Sequence, residues 1–205
     1  MRIFILGATG RTGRHLTEQA LLRGHTVTAM VRRPNALIPH AGLRITEGDP
    51  VSDRTLEEAL PGHDVIISCL GRKRQADAGF LRNAAAATLA AMAGSEVHRY
   101  LVVSQGLLFP NRNPIIPILR IVLAKHLADS AAMEHLVRAS ETDWTIARPP
   151  MLVDGGAPCG YRVSIGGLPA GAWSMQRADL ATFLLDEADR GEHVRLIVGL
   201  ASGSE

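Results

Sequence analysis

The sequence predicts an α/β fold, a doubly wound parallel sheet with a small C-terminal substrate lobe. Three observations carry that expectation. Apolar runs of strand length alternate five times with helical stretches before residue 150, which calls for crossovers between parallel strands. Residues 64–70 (DVIISCL) are almost continuously apolar, as a strand covered on both faces must be. A glycine-rich turn separates the first strand from the first helix, where such sheets hold their ligands.

Each element has a local cause. Residues 3–6 form a short apolar run ended by Gly7, a buried strand. Leu16, Ala20 and Leu21 then recur at helical spacing over residues 11–23, and Gly24 supplies the stop. Residues 26–31 (TVTAMV) read as a second strand and 43–46 as a weaker third. Ser52 can cap a helix over 53–60, closed by Pro61-Gly62. After the fourth strand, the alanine-rich stretch 76–93 is helical on propensity alone, with Gly94 as its stop. Residues 99–104 (RYLVVS) make a fifth strand, followed by a loop containing Pro110, Pro114 and Pro117. A helix from about 126 to 139 and a strand over 144–147 come next, the latter halted by Pro149-Pro150. Glycines punctuate the rest, with a helix near 177–188 and a strand near 194–198. The expected organisation is one domain over residues 1–205, with 151–175 contributing loops to the substrate site.

Composition narrows the function. At 46% hydrophobic and 20% charged, the chain is not a disordered one. Its 22 basic and 20 acidic residues nearly cancel, and aromatics are 4%, so neither a cationic nucleic-acid surface nor a base-stacking platform is expected. Cys69 and Cys159 make no disulfide framework and no metal motif. The apolar N-terminus is too short for a signal peptide, and the stretch 114–124 falls short of the ~20 residues that span a bilayer. A cytoplasmic protein acting on a small molecule is expected, without membrane, nucleic-acid or metal partners, as a monomer or weak homodimer.

The turn is Gly7-Ala8-Thr9-Gly10-Arg11-Thr12-Gly13. Gly7 permits the tight bend, Gly10 lets the backbone approach a pyrophosphate, and Gly13 lets the helix lie close to the sheet. The helix N-terminus presents free N–H groups to phosphate oxygens. The end of the second strand selects the dinucleotide. An NAD site places a carboxylate there to bind ribose hydroxyls. This chain has Arg32 and Arg33 instead, and a guanidinium binds a 2′-phosphate through paired charge-assisted bonds. NADP(H) is therefore the expected cofactor, with Arg32 the main contact and Arg33 secondary, unless one or both are solvated surface arginines. Asp49 follows the third strand, either at an adenine edge or as a turn aspartate. Cys69-Leu70-Gly71 ends the fourth strand and should pass beneath the cofactor by its backbone, with Cys69 a small hydrophobe rather than a nucleophile.

With these residues in place, the chain resembles the atypical short-chain dehydrogenase/reductases, in the NAD(P)H-binding group that includes NmrA-like proteins and biliverdin reductase B-like flavin reductases. The matching segments are GATGRTG at 7–13, VRRP at 31–34, EGDP at 47–50, VIISCLG at 65–71, LVVSQG at 101–106, MEHLV at 133–137, DWTIARP at 143–149 and RADLA at 177–181. The resemblance implies an NAD(P)-binding Rossmann fold with a shallow, apolar acceptor site above the nicotinamide. It implies either a flavin or quinone reductase or a regulator that senses NADP(H) without turnover. The enzyme is the preferred expectation, because these 205 residues show no added partner-binding segment. The chain departs from relatives with a Tyr-x-x-x-Lys pair. Its only tyrosines are Tyr100 and Tyr161, and His126 and Ser130 align with the pair. That weighs against alcohol dehydrogenase, epimerase and dehydratase readings, which need a positioned proton shuttle. Gln105 replaces the group's usual second serine, and Met151 the histidine of biliverdin reductase B.

Hydride transfer to a flat acceptor asks little of side chains, since the cofactor carries the reactivity. Ser104 and His126 are the candidate catalytic residues. Ser104 either hydrogen-bonds the nicotinamide amide or an acceptor carbonyl, or is satisfied by local backbone. His126 either supplies a proton or starts its helix facing water, and Lys125 is equally ambiguous. Pro149 marks the cofactor edge, and Met151, Leu107, Leu108 and Phe109 either line the acceptor pocket or belong to the core. Glu134 is expected to pair with a nearby arginine or lysine, and Asp179 to cap the last helix.

Overall fold

The computed structural model describes residues 1–33, 37–71, 78–110 and 116–203. Pro34, Pro114 and residues 76–77 of the expected third helix lie outside these described residues.

Eight strands form the main sheet. Five come from the first two thirds of the chain: β1 (Arg2–Leu6), β2 (Thr26–Val31), β3 (Leu43–Glu47), β4 (Val65–Ser68) and β5 (Arg99–Val103). β6 (Asp143–Arg148), β8 (Tyr161–Ile165) and β10 (Leu196–Ser202) complete it, in the spatial order β3-β2-β1-β4-β5-β6-β10-β8. All pairings are parallel except β10 with β8, which is antiparallel. The order reverses between β1 and β4, and a doubly wound sheet opens a crevice at that switch point.

Alternation within β1 shows why both faces need cover. Ile3 and Ile5 enter a core with Leu16 and Ala20 of α1 (Arg11–Leu22) and Leu180 and Leu184 of α6 (Arg177–Arg190). Phe4 and Leu6 enter the opposite core, with Leu56 of α2 (Asp53–Ala59), Leu81 and Ala85 of α3 (Phe80–Ala93) and Met133 and Val137 of α5 (Ala124–Ala139). All four β1 side chains are fully buried. Each such burial stabilises the fold by about 1.5–3 kcal/mol, which fixes the strand's register on the sheet.

The C-terminal third is more ordered than its glycines suggest. β8 joins the main sheet as its antiparallel edge, while β7 (Met151–Val153) and β9 (Ser174–Gln176) pair as a separate two-stranded ribbon. The expected loop after the fifth strand needs correction. It contains a 3-10 turn (Gly106–Leu108) and a short helix, α4 (Ile116–Val122), that accepts Pro117 in its first turn, where a missing N–H costs nothing. Asp179 is not a helix cap. Gln176 holds the N-cap position of α6, and the Asp179 carboxylate instead accepts from the Cys159 backbone N–H and the Ser202 hydroxyl. Ser52 does stand at the N-cap of α2, but its hydroxyl oxygen accepts from Thr55 and caps no backbone N–H.

Candidate functional site

The ends of β1, β2, β3 and β4 surround one cleft, lined by Gly7, Thr9, Gly10, Met30, Val31, Arg32, Gly48, Pro50, Cys69, Leu70, Gly71 and Phe80. Gly7 adopts φ +86°, and a Cβ there would come 2.9 Å from the Cys69 carbonyl. Only glycine lets β1 turn so close to the end of β4. The turn is closed by the Gly10 N–H donating to the Gly7 carbonyl at 2.9 Å. A Cβ on Gly13 would fall inside the Gly7 carbonyl, so the helix could not sit this close to the strand.

α1 begins directly after Gly10 with no side-chain cap and no acid in its first turn. Its free N–H groups and positive dipole end therefore face the cleft without an internal counter-charge. That cradle fits a diphosphate, since glycines clear the approach and no acid stands in the first turn of α1. Arg32 and Arg33 are both exposed just past β2, with Arg32 on the cleft wall.

The other expected site residues fall at varying distances from this cradle. Arg11 is exposed and pairs with Asp154 at 2.8 Å, and Asp154 also holds Arg177 at 2.8 Å. Thr12 and Gly13 lie in the first turn of α1 and not on the cleft wall. Asp49 is exposed and accepts from the Val51 N–H at 3.2 Å, an aspartate turn, while its neighbours Gly48 and Pro50 wall the cleft. Cys69 borders the cleft, and burial pushes its thiol up to about 12, which leaves it protonated and unreactive.

Beyond the end of β4, at β5 and β6, lies a buried polar cluster. Ser104 follows β5, and its hydroxyl donates to Glu134 Oε1 at 2.5 Å. Glu134 holds Arg148, at the end of β6, through two bonds of 2.9 and 2.5 Å. The Arg148 guanidinium lies 4.6 Å from the centroid of the Phe109 ring. The expectation that Glu134 pairs with a basic residue holds, though the pair is buried and not on an open helix face. Pro149 accepts from the Gly106 N–H at 2.7 Å, fastening the segment after β5 to the segment after β6. His126 is half-buried, and its Nδ1 is out of solvent with no partner among the described residues. Gln105 donates to the fully buried Ser130 at 2.8 Å. Met151 is exposed, and Phe109 is core. Leu107 and Leu108 line a second, apolar groove with Pro110, Arg120, Leu127 and Ala131. This groove, about 500 Å³, lies open to solvent.

Neither tyrosine offers proton transfer. Tyr100 is buried beside Thr88 and Ser68, and loss of solvent pushes its phenol up to about 12. Tyr161 donates to Asp186 at 2.7 Å, and burial followed by that carboxylate pushes its phenol well above the ordinary range. Among the described residues, no group of histidines, cysteines and acids could hold a metal, and no helix is long and apolar enough to cross a membrane.

A family model described as NAD(P)H-binding matches residues 7–190, from the first glycine of the turn to the last residue of α6. The chain belongs to this NAD(P)H-binding family. Among curated relatives, an isoflavone reductase homolog from Zea mays is 33% identical over 86 residues, covering 37% of this chain and 28% of the relative. A 4-hydroxy-2-methyl-3-oxo-4-farnesyl-3,4-dihydroquinoline-1-oxide ketoreductase from Stigmatella aurantiaca is 29% identical over 150 residues, covering 67% of this chain and 45% of the relative. The chain thus spans less than half the length of the curated relatives it matches. Solved structures share the fold of this NAD(P)H-binding chain over nearly its whole length. A Streptococcus pneumoniae protein provisionally assigned as an NADH-flavin reductase has a TM-score of 0.84 at 23% identity, covering 98% of this chain and 99% of its own. A short-chain dehydrogenase/reductase of the wide type from Veillonella parvula, in complex with NADP, has a TM-score of 0.76 at 20% identity, covering 98% and 94%.

Sequence reasoning missed two features of the site. The Ser104–Glu134–Arg148 connection joins positions 30 and 14 residues apart, and no local pattern announces it. The Arg11–Asp154–Arg177 bridge joins positions 143 and 23 residues apart, again with no local mark.

Proposed function

We propose that the chain is an NADPH-dependent oxidoreductase that passes hydride to a flat conjugated acceptor such as a flavin or quinone. The observation that carries this reading is the sequestration of both tyrosines away from the cleft, Tyr100 in the core and Tyr161 on Asp186. A site with no tyrosine acid suits an acceptor whose reduced form takes its proton from water. Two curated relatives carry the names of reductases of fused-ring compounds, which supports an acceptor of that shape.

When bound, the reduced nicotinamide supplies the hydride. The chain's own residues bind and orient. Gly7, Thr9, Gly10 and the first N–H groups of α1, from Arg11, Thr12 and Gly13, take the diphosphate. Arg32, with Arg33 beside it, takes the 2′-phosphate, and no carboxylate lines the described cleft to repel it. Asp49, beside the cleft-lining Gly48 and Pro50, would lie towards the adenine edge, and Cys69, Leu70 and Gly71 would support the cofactor from the end of β4 by their backbone. Ser104 and Pro149, just past the ends of β5 and β6, would border the nicotinamide, and segments within 151–175 would contribute to the acceptor site. The groove at Leu107 and Leu108 is the acceptor's apolar wall.

The test mixes the protein with NADPH and, in turn, free flavins and small quinones, following loss of NADPH absorbance. Steady consumption, faster with NADPH than with NADH, is expected. Tight NADPH binding without consumption across these acceptors would overturn the enzyme reading in favour of a regulator that senses NADP(H).

A further inference from the structure

We propose that Glu134 fixes the direction of the Ser104 hydroxyl, so that Ser104 meets the nicotinamide only as an acceptor, taking an N–H of its carboxamide. The inference rests on the cofactor reading above.

The argument begins with proton ownership. Glu134 Oε1 accepts from Arg148 Nε at 2.9 Å and from Ser104 at 2.5 Å, and Oε2 accepts from Arg148 Nη2 at 2.5 Å. Both carboxylate oxygens are engaged by donors, so Glu134 has no proton to give. A serine hydroxyl has one proton and two lone pairs. Ser104 spends its proton on Glu134, and only its lone pairs remain for a ligand.

This arrangement is held firmly. Ser104 is 7% exposed and Glu134 3%, so water does not compete for the bond. Hydrogen bonds to a charged partner in such surroundings are shorter and about twice as strong as neutral ones. The Ser104 N–H donates to the Ala147 carbonyl at 2.7 Å, which fixes its backbone between β5 and β6. Phe109 lies against the Arg148 guanidinium, and Arg120 donates to the Phe109 carbonyl at 2.5 Å. These contacts brace the ion pair beside the hydroxyl.

The chemical consequence is a polarity rule at the end of β5. A carbonyl oxygen arriving there finds no donor in Ser104, whereas an N–H finds an acceptor. The carboxamide is the N–H donor carried by the reacting ring of the cofactor. Ser104 is then not a proton source for the acceptor. Glu134 is a positioning residue that acts through Ser104, and the pair selects cofactors with an amide on the pyridine ring.

Equilibrium binding tests this without turnover. NADP⁺ is compared with its 3-acetylpyridine analogue, which keeps the carbonyl but replaces NH₂ by methyl, and with its nicotinic acid analogue, which carries a carboxylate. Wild-type protein is expected to bind NADP⁺ about tenfold more tightly than either, the value of a well-placed hydrogen bond in a dry site. Ser104→Ala should bring the NADP⁺ and acetylpyridine constants within about twofold of each other, through loss on the NADP⁺ side. Glu134→Gln, checked for folding by circular dichroism, should narrow the gap between NADP⁺ and the nicotinic acid analogue by releasing the hydroxyl. A merely structural glutamate would weaken all three ligands in parallel, and that result would overturn the proposal. Should the Glu134→Gln variant not fold, the Ser104→Ala ratio decides alone. Equal wild-type affinity for NADP⁺ and the acetylpyridine analogue would sink the acceptor assignment while leaving the cofactor reading standing. No NADP⁺ binding at all would sink both.

Discussion

Glu134 of α5 and Arg148 at the end of β6 face each other as a two-pronged ion pair, 4% and 12% exposed, across the segment that follows β5. A buried pair of this kind is costly to break, because the surviving charge has neither water nor partner. Arg148→Ala should therefore lower unfolding free energy by about 3–5 kcal/mol, measured by urea denaturation. Replacing both residues by leucine and methionine should cost distinctly less. An equal or larger loss in the double variant would show that the charges themselves, not their mutual dependence, hold the segment.

Arg32 is the guanidinium on the cleft wall, and its effect should follow the extra phosphate. Arg32→Ala should raise the NADPH dissociation constant about tenfold or more and change that for NADH by less than about twofold. Fluorescence titration of both cofactors gives the ratio. Added salt should weaken NADPH binding more in the wild type than in the variant.

The glycine bend tolerates no added methyl. Gly13→Ala would drive a Cβ into the Gly7 carbonyl and push α1 off the sheet. Loss of about 1–3 kcal/mol of stability, together with loss of NADPH binding, is expected. Retained binding with unchanged stability would show that the turn can open.

The tyrosines give a control on the chemistry. Tyr161→Phe removes a hydroxyl that sits on Asp186 and not in the cleft. The rate of NADPH consumption should stay within about twofold of the wild type and keep its pH profile. A rate that collapses across the whole pH range would restore tyrosine as the acid.

Asp64 supplies a pH dependence with a definite sign. Its bonds to the Arg2 side chain and backbone hold the carboxyl below its ordinary value. The folded state thus favours the charged form. The contribution is complete above the ordinary carboxylate range and fades as pH falls through the lowered folded value. The pair is well exposed, so the amount is small. Asp64→Asn should be slightly less stable than wild type at neutral pH, and the two should converge in strong acid.

Much of the fold was legible because its causes are local. Apolar alternation in residues 3–6, the alanine stretch before Gly94 and the glycine turn each act over a few neighbours, and the strands and helices appear where those patterns put them. That Glu134 pairs with a basic residue was also expected, but that the partner is Arg148 was not legible, because the two meet only across the fold. α4 was not legible, because its prolines read as a loop and its apolar residues Ile118, Ile121 and Val122 stay exposed, so no burial periodicity marks a helix.

By itself the sequence determined the alternating architecture, the cradle at Gly7, Gly10 and Gly13, and the basic residue past β2. Those features depend on backbone freedom and charge at single positions. Only the tertiary structure decided that Ser104 gives its proton to Glu134, that Asp179 serves Cys159 and Ser202, and that both tyrosines leave the cleft. Hydrogen-bond direction depends on which groups meet across the folded sheet, and residues 30 apart in the chain carry no local mark of that meeting.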